Sequence, residues 1–181
     1  DKYIGDCIMA FWNAPLDVDD HAGKAVQAAV AMVDAMPGIN AALEDEFGHS
    51  GFRLGVGVNS GSVVVGNMGS QTRFDYSVLG DAVNLSARLE GQSKVYGVDI
   101  VVGEATQGQI DNSRSSLVQI DQLRVKGKQE PVRIFSPIAG AAGDDVRAHE
   151  AAMAAYHDED FDLAKRLLNG MQGRFGSRLA Q

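Results

Sequence analysis

The 181-residue sequence contains a single cysteine, Cys7, which excludes an internal disulfide framework and fits a reducing compartment. It also lacks an apolar run of the roughly 20 residues that a membrane-spanning helix needs, so we expect no membrane contact by this segment. Positive charge is scarce, because 16 Lys and Arg stand against 24 Asp and Glu, for a net charge of −8. This balance argues against binding to nucleic acid, which normally requires a basic surface stripe.

Apolar residues make up 45% of the sequence, which is enough for one ordinary core and a small appendage. The sequence opens at Asp1 within a strand-like pattern. We therefore expect the natural protein to start upstream and to carry further segments there, including membrane ones. For the segment itself we expect a cytoplasmic location.

The apolar pattern predicts an α+β fold in the first part of the chain. A hairpin is expected over residues 2–12, with Gly5-Asp6 as its two-residue turn. A helix is expected over 21–36, where Pro37-Gly38 breaks or restarts it. A second hairpin over 52–65 and a polar, glycine-rich flap over 66–74 then follow.

The remaining pattern predicts a helix over 81–96, a short helix over 104–109, and three strands over 98–102, 117–124 and 131–137. This order favours an antiparallel-rich sheet with helices packed on one face.

Residues 1–138 are interpreted as one domain and residues 139–181 as a linker with a helical extension. Two alanine-rich helices, over 148–156 and 160–171, would form a helical hairpin there. We interpret this hairpin as a docking or dimerisation element, or else as one unit of a helical repeat.

A pair of polar residues, Asn84 and Arg88, stands just inside the predicted start of the 81–96 helix. Residues four apart share one helical face, so both side chains can reach toward one point. A neutral donor beside a planar cation suits negative charge on a phosphate or ribose oxygen. Alternatively, Arg88 pairs with a surface carboxylate and Asn84 is an ordinary exposed amide. Asp81, after Gly80, is expected to be the N-cap.

Four blocks of the sequence, in the same order, resemble the class III nucleotidyl cyclases, the family of adenylate and guanylate cyclases. The run from Phe74 to Arg88 resembles the family signature, and Lys2 to Asp6 resembles its Lys-x-x-Gly-Asp hairpin. The glycine-punctuated stretch 55–67 and the lysine segment 125–128 match its central strand pair and its late lysine segment. The resemblance covers roughly residues 1–136 and implies a ferredoxin-like, antiparallel-rich α+β fold.

The resemblance implies an adenylate cyclase domain of bacterial type, which makes cyclic AMP and pyrophosphate from ATP in cyclic-nucleotide signalling. Such an enzyme uses Mg²⁺ or Mn²⁺. In this family Asn84 would orient the ribose, and Arg88 would stabilise the pentavalent phosphorus. Lys126 matches the lysine that contacts the triphosphate, and Lys128 is a nearby second candidate.

The resemblance also assigns residues to the metal and the purine. Asp6 matches the second of two metal-binding aspartates, while the first belongs to a strand upstream of Lys2 that the sequence does not contain. Lys2 matches the purine-reading position, where guanine-specific relatives place a glutamate. Ser77 stands at the partner position, which usually holds Asp or Thr. Since a serine hydroxyl can accept from the adenine amine, the pair favours ATP.

In this family the active sites lie at a head-to-tail dimer interface, where one protomer supplies the metal carboxylates and the other supplies the remaining groups. The resemblance therefore implies a homodimer with two equivalent sites. Because the first aspartate is absent, a non-catalytic nucleotide-binding or dimerisation module is the main alternative. A guanylate cyclase is a third reading, which Lys2 disfavours.

Overall fold

The computed structural model describes residues 2–70, 73–111, 117–124, 130–137 and 143–170, which form eight strands and five helices. The strands are β1 Lys2–Ile4, β2 Cys7–Met9, β3 Val56–Val58, β4 Val64–Ser70, β5 Arg73–Leu79, β6 Ile100–Gly103, β7 Leu117–Leu123 and β8 Val132–Pro137. The helices are α1 His21–Phe47, α2 Asp81–Tyr96, α3 Glu104–Gln107, α4 Gly143–His157 and α5 Phe161–Gly170. The predicted α+β class is confirmed.

The main sheet has four strands in the order β3-β6-β8-β7. Strand β3 runs parallel to β6, with Val56 opposite Ile100, and the other two pairings are antiparallel. All four residues of β6 are buried. This is the pattern of a strand that is covered on both faces of its sheet.

Helices α1 and α2 contact alternate side chains of β6. Val101 packs with Leu89 of α2 in one apolar cluster, whereas Ile100 and Val102 pack with Val26 of α1 in another. Successive strand residues point to opposite faces, so the two helices cover opposite faces of the sheet. The sequence pattern had placed the helices on one face, because element order alone does not reveal which strand side each helix covers.

One of the two predicted hairpins is confirmed and the other is not. β1 and β2 pair in antiparallel register around the turn at Gly5, whose φ of +63° such turns require. The predicted hairpin over 52–65 is wrong, since β3 pairs with the distant β6. Instead, β4 pairs with β5 from Val64 opposite Leu79 onward, so the predicted flap over 66–74 lies largely within a strand pair.

Helix α1 continues through Pro37, where the sequence predicted a break. Beyond the proline, the Asn40 side chain exchanges two hydrogen bonds with the backbone of Phe52, at 2.8 and 2.9 Å. These bonds tie the second half of the helix to the following segment and offset the loss of a helical N–H. By length and composition α1 could also cross a membrane, which is weak evidence because its first turns pack in the core.

The predicted C-terminal helical hairpin is present as α4 and α5, which contact each other, and α4 also contacts β7. His149 of α4 is buried, and its Nε2 donates to the backbone carbonyl of Gln119 in β7 at 2.5 Å. The proposed domain division at residues 138 and 139 falls within 138–142, outside the described residues, and stays a prediction.

Candidate active site

Helix α2 begins at Asp81, which makes Gly80 the N-cap and corrects the predicted role of Asp81 by one position. The Gly80 carbonyl accepts the backbone N–H groups of Val83 and Asn84 at 3.2 and 3.4 Å. Asp81 in the first turn still favours the helix, because negative charge there complements the helix dipole. The first turn thus fixes the backbone that carries Asn84.

Asn84 and Arg88 lie one turn apart on α2, as the sequence predicted. Asn84 is exposed and Arg88 is half-buried. The Nη1 atom of Arg88 is buried and has no hydrogen-bond partner among the described residues. Leaving a buried charged donor unpaired is destabilising, so this arrangement is typical of a group kept for an anionic ligand.

The opposite face of α2 packs against β3 through contacts that sequence reasoning missed. The Ser86 hydroxyl donates to the Gly57 carbonyl at 2.8 Å, and the Asn59 amide donates to the Ala82 carbonyl at 3.1 Å. A glycine inside a strand pattern indicates a close backbone approach, so Gly57 carried a signal for this contact. Nothing local identified α2 as the element that approaches it.

Asp6 and Lys2 both lie on the β1–β2 hairpin. Asp6 is exposed at the tip, while Lys2 is half-buried and pairs in register with Met9. Within the part of the chain that the structure describes, no group of three or more His, Cys, Asp or Glu could hold a metal ion. Asp6 is therefore not part of a three-residue ligand group among the described residues.

Ser77 lies in β5, opposite Gly66 and three residues before the Gly80 N-cap. Its side chain is 2% exposed, so a ligand would have to displace neighbouring groups to reach the hydroxyl. The rings of Phe11 and Tyr76 lie 6.1 Å apart, which places the segment after β2 against β5 beside Ser77. The fold thus brings the hairpin segment and β5 to one side of the molecule.

The two predicted late lysines, Lys126 and Lys128, lie outside the described residues.

A cavity of about 360 Å³ opens beside the first turn of α2, and of the predicted site residues that the structure describes, none lines it. Its walls include Asp81, Glu104 and Glu130 together with the 59–62 loop. Three carboxyl groups at one cavity repel a triphosphate. Among the described residues, the candidate active site is therefore the outer face of α2 together with the β1–β2 hairpin.

Known proteins match most of this chain, including the elements described above. A family model described as the adenylate and guanylate cyclase catalytic domain matches residues 2–136. An adenylate cyclase of Anabaena cylindrica is 37% identical over 140 residues, which are 75% of this chain and 27% of that protein. The chain thus spans about a quarter of that relative's length.

Two solved structures share the fold. The adenylyl cyclase CyaB from P. aeruginosa superposes with a TM-score of 0.68 at 28% identity, over 78% of this chain and 71% of that one. A guanylyl cyclase superposes with a TM-score of 0.63 at 32% identity, over 74% and 64% of the two chains. The similarity therefore extends to proteins named for either purine nucleotide.

Proposed function

Because the chain belongs to the family of adenylate and guanylate cyclase catalytic domains, we propose that it converts ATP to 3′,5′-cyclic AMP and pyrophosphate. Domains of this family bind a nucleotide substrate, use divalent metal ions and typically act as dimers. The relative of Anabaena cylindrica is named an adenylate cyclase, which supports the choice of product. Since the chain spans a quarter of that relative, the activity of the whole protein is part of the proposal.

The observation that carries the proposal is the buried Nη1 of Arg88, on the same helical face as Asn84, for which the described part of the chain offers no hydrogen-bond partner. In the reaction, the ribose 3′-oxygen forms a bond to the α-phosphorus and the bond to the β-phosphate oxygen breaks. The hydroxyl proton leaves to solvent and pyrophosphate departs. Arg88 donates to the phosphoryl oxygens as their charge grows, and Asn84 holds the ribose in line.

Lys2 and Ser77 are proposed to read the purine. The Lys2 ammonium donates to a ring acceptor of adenine, and the Ser77 hydroxyl accepts from the adenine amine. The near-complete burial of Ser77 requires neighbouring side chains to move when the base binds. Lys126 is proposed to contact the triphosphate, as in the family.

The metal is proposed to be Mg²⁺ or Mn²⁺, held at Asp6. An exposed carboxylate at a hairpin tip suits Mg²⁺, which prefers few protein oxygens together with substrate phosphates. When bound, the ion neutralises phosphate charge. Because the described residues contain no group of three or more such side chains, the nucleotide would have to supply ligands as well.

A homodimer is proposed because large apolar side chains on the β1–β2 and β4–β5 strand pairs face solvent in the single chain. Tyr3, Ile8, Val64 and Leu79 are each between 62% and 82% exposed. Exposed apolar residues grouped on paired strands are typical of a surface that another subunit covers. We place the dimer in the cytoplasm, where ATP is available.

Two other functions compete with this proposal. A guanylate cyclase is favoured by the superposition on a guanylyl cyclase at 32% identity. A non-catalytic nucleotide-binding module is favoured because the described residues contain no group of three or more His, Cys, Asp or Glu that could hold a metal ion.

The test is cyclic nucleotide formation by the natural protein that carries this chain, with ATP or GTP and Mn²⁺. We expect cyclic AMP from ATP, with loss of activity in Arg88→Ala or Asn84→Ala. Preferred turnover of GTP would identify a guanylate cyclase. ATP binding without any cyclic product would identify the non-catalytic module.

A further inference from the structure

We infer that Ser86 and Asn59 are positioning residues, which fix helix α2 against strand β3 and thereby place Asn84 and Arg88 for the reaction. The inference rests on the proposed function. It concerns two polar side chains that do not lie on the proposed substrate-facing side of the helix.

The helix and the strand touch through their backbones at Gly57. A Cβ added at this glycine would lie 2.1 Å from the Ser86 carbonyl oxygen and 2.4 Å from the Glu90 nitrogen. Both atoms belong to the α2 backbone, which cannot yield as a flexible side chain would. The position of α2 is therefore set by direct contact with β3.

Two hydrogen bonds secure this contact at points one helical turn apart. The Ser86 hydroxyl donates to the Gly57 carbonyl at 2.8 Å, and the Asn59 Nδ2 donates to the Ala82 carbonyl at 3.1 Å. One bond alone would leave the helix free to rotate about that point. Two bonds separated along the axis restrict both rotation and sliding of α2.

The Asn59 side chain is itself held in place by the fold. Its Oδ1 is buried, and a Cβ added at Gly103 would lie 2.5 Å from that atom. Glycine at position 103 thus leaves the room that the amide occupies. The amide is confined on one side by β6 and bound on the other to Ala82 of α2.

Ser86 lies midway in sequence between Asn84 and Arg88. At about 100° per residue, it points to the side of the helix opposite both of them. A rotation or shift of α2 at Ser86 therefore moves Asn84 and Arg88 together. Misplacing catalytic groups by about 1 Å can lower the rate by about 100-fold.

The test compares Ser86→Ala and Asn59→Asp with the wild type in the natural protein, under conditions where all are folded. Asn59→Asp preserves the side-chain shape but replaces the donor with an acceptor that repels the Ala82 carbonyl. We expect each variant to lower kcat by about tenfold or more, while KM for ATP stays within about twofold. Ser86→Thr retains a hydroxyl and is expected to restore most of kcat.

Ser93→Ala is the matched control, because Ser93 is buried on the same face of α2, beyond the catalytic pair. We expect it to lower Tm without lowering kcat. Wild-type kcat in both Ser86→Ala and Asn59→Asp would overturn the inference, as would an equal loss of kcat in Ser93→Ala. If Ser86→Ala does not fold, the kcat of Asn59→Asp alone tests the inference. A wild-type protein that forms no cyclic nucleotide would instead refute the proposed function, and the inference with it.

Discussion

At the scale of single residues, Arg88 combines a buried donor atom with a proposed role in the reaction. Its Nη1 is buried without a hydrogen-bond partner among the described residues. An unpaired buried charge is destabilising, whereas an apolar side chain of similar volume at such a site is often neutral or stabilising. A phosphate oxygen in the active complex would supply the missing acceptor.

Arg88→Met is therefore expected to leave Tm unchanged or to raise it, while kcat falls by about 10²–10³. Thermal unfolding and cyclic AMP formation are measured on the same samples. Arg133→Met is the control, since Arg133 is exposed and its charge is paired with Glu104 at 3.0 Å. That variant should keep its activity. A stable, fully active Arg88→Met protein would remove Arg88 from the mechanism.

The choice of purine is assigned to Lys2 on the β1–β2 hairpin. Replacing Lys2 with glutamate exchanges a hydrogen-bond donor for an acceptor. The side chain would then complement the ring N–H of guanine instead of the ring acceptor of adenine. Lys2→Glu is expected to lower kcat/KM for ATP and to raise kcat/KM for GTP. The exposed Lys94→Glu in the last turn of α2 carries the same charge change as a control. If Lys2→Glu lowered kcat/KM equally for ATP and GTP, the base-reading role of Lys2 would be contradicted.

The sequence predicted which proposed site residues share one helical face, and it missed the contacts that a distant element makes with that helix. Asn84 and Arg88 were paired correctly because helical periodicity alone places them on one face. The supports of α2 could not be found in this way. Asn59 and Ser86 bond to partners 23 and 29 positions away in sequence.

At the scale of secondary structure, the errors share one cause. Strand β3 was assigned to a hairpin with the next strand, whereas its partner is β6, with Val56 opposite Ile100. Alternation of apolar and polar residues identifies a strand but does not reveal which strand it pairs with. The break or restart predicted at Pro37 is likewise absent, since the helix continues through this residue. The Asn40 side chain bonds to the Phe52 backbone, and such tertiary contacts can outweigh local helix propensity.

The docking of α4 on β7 depends on a neutral His149. Burial lowers the pKa of His149 below its ordinary value, although the Gln119 carbonyl and the Glu150 carboxylate favour the charged form. Since the pKa is lower in the folded chain, the unfolded chain binds more protons as the pH falls below about 6.5. The docked state is therefore fully stable above that pH and loses stability as the pH falls toward the folded-state pKa.

Hydrogen exchange of residues 143–170 should accordingly become faster between about pH 7 and pH 5, after correction for the intrinsic rate. His149→Gln is expected to flatten this dependence. His157, whose Nε2 lies 3.4 Å from the Gln119 side chain, is exposed and serves as the control through His157→Gln. If that control flattens the profile while His149→Gln does not, His149 is not the titrating group.

At the scale of the whole molecule, the proposed site residues lie on two separate elements of one chain. Asp6 lies on the β1–β2 hairpin, while Asn84 and Arg88 lie on α2. In the proposed head-to-tail dimer, each site would take Asp6 from one subunit and the α2 pair from the other. The exposed apolar side chains of β1–β2 and β4–β5 are the proposed contact between them.

This division predicts that two inactive variants restore activity when mixed. Asp6→Ala and Asn84→Ala damage opposite halves of a shared site, so a mixed dimer retains one intact site and one site with both defects. If subunits exchange at random, half of the dimers are mixed, and about a quarter of wild-type cyclic AMP formation is expected. Sedimentation at the assay concentration establishes that the dimer is present.

Mixing Asn84→Ala with Arg88→Ala is the control, because both changes fall on the same half of the site and a mixed dimer then has no intact site. No recovery in the first mixture of exchanging dimers would place each complete site within one subunit. Recovery in the control would show that Asn84 and Arg88 do not belong to the same half of the site.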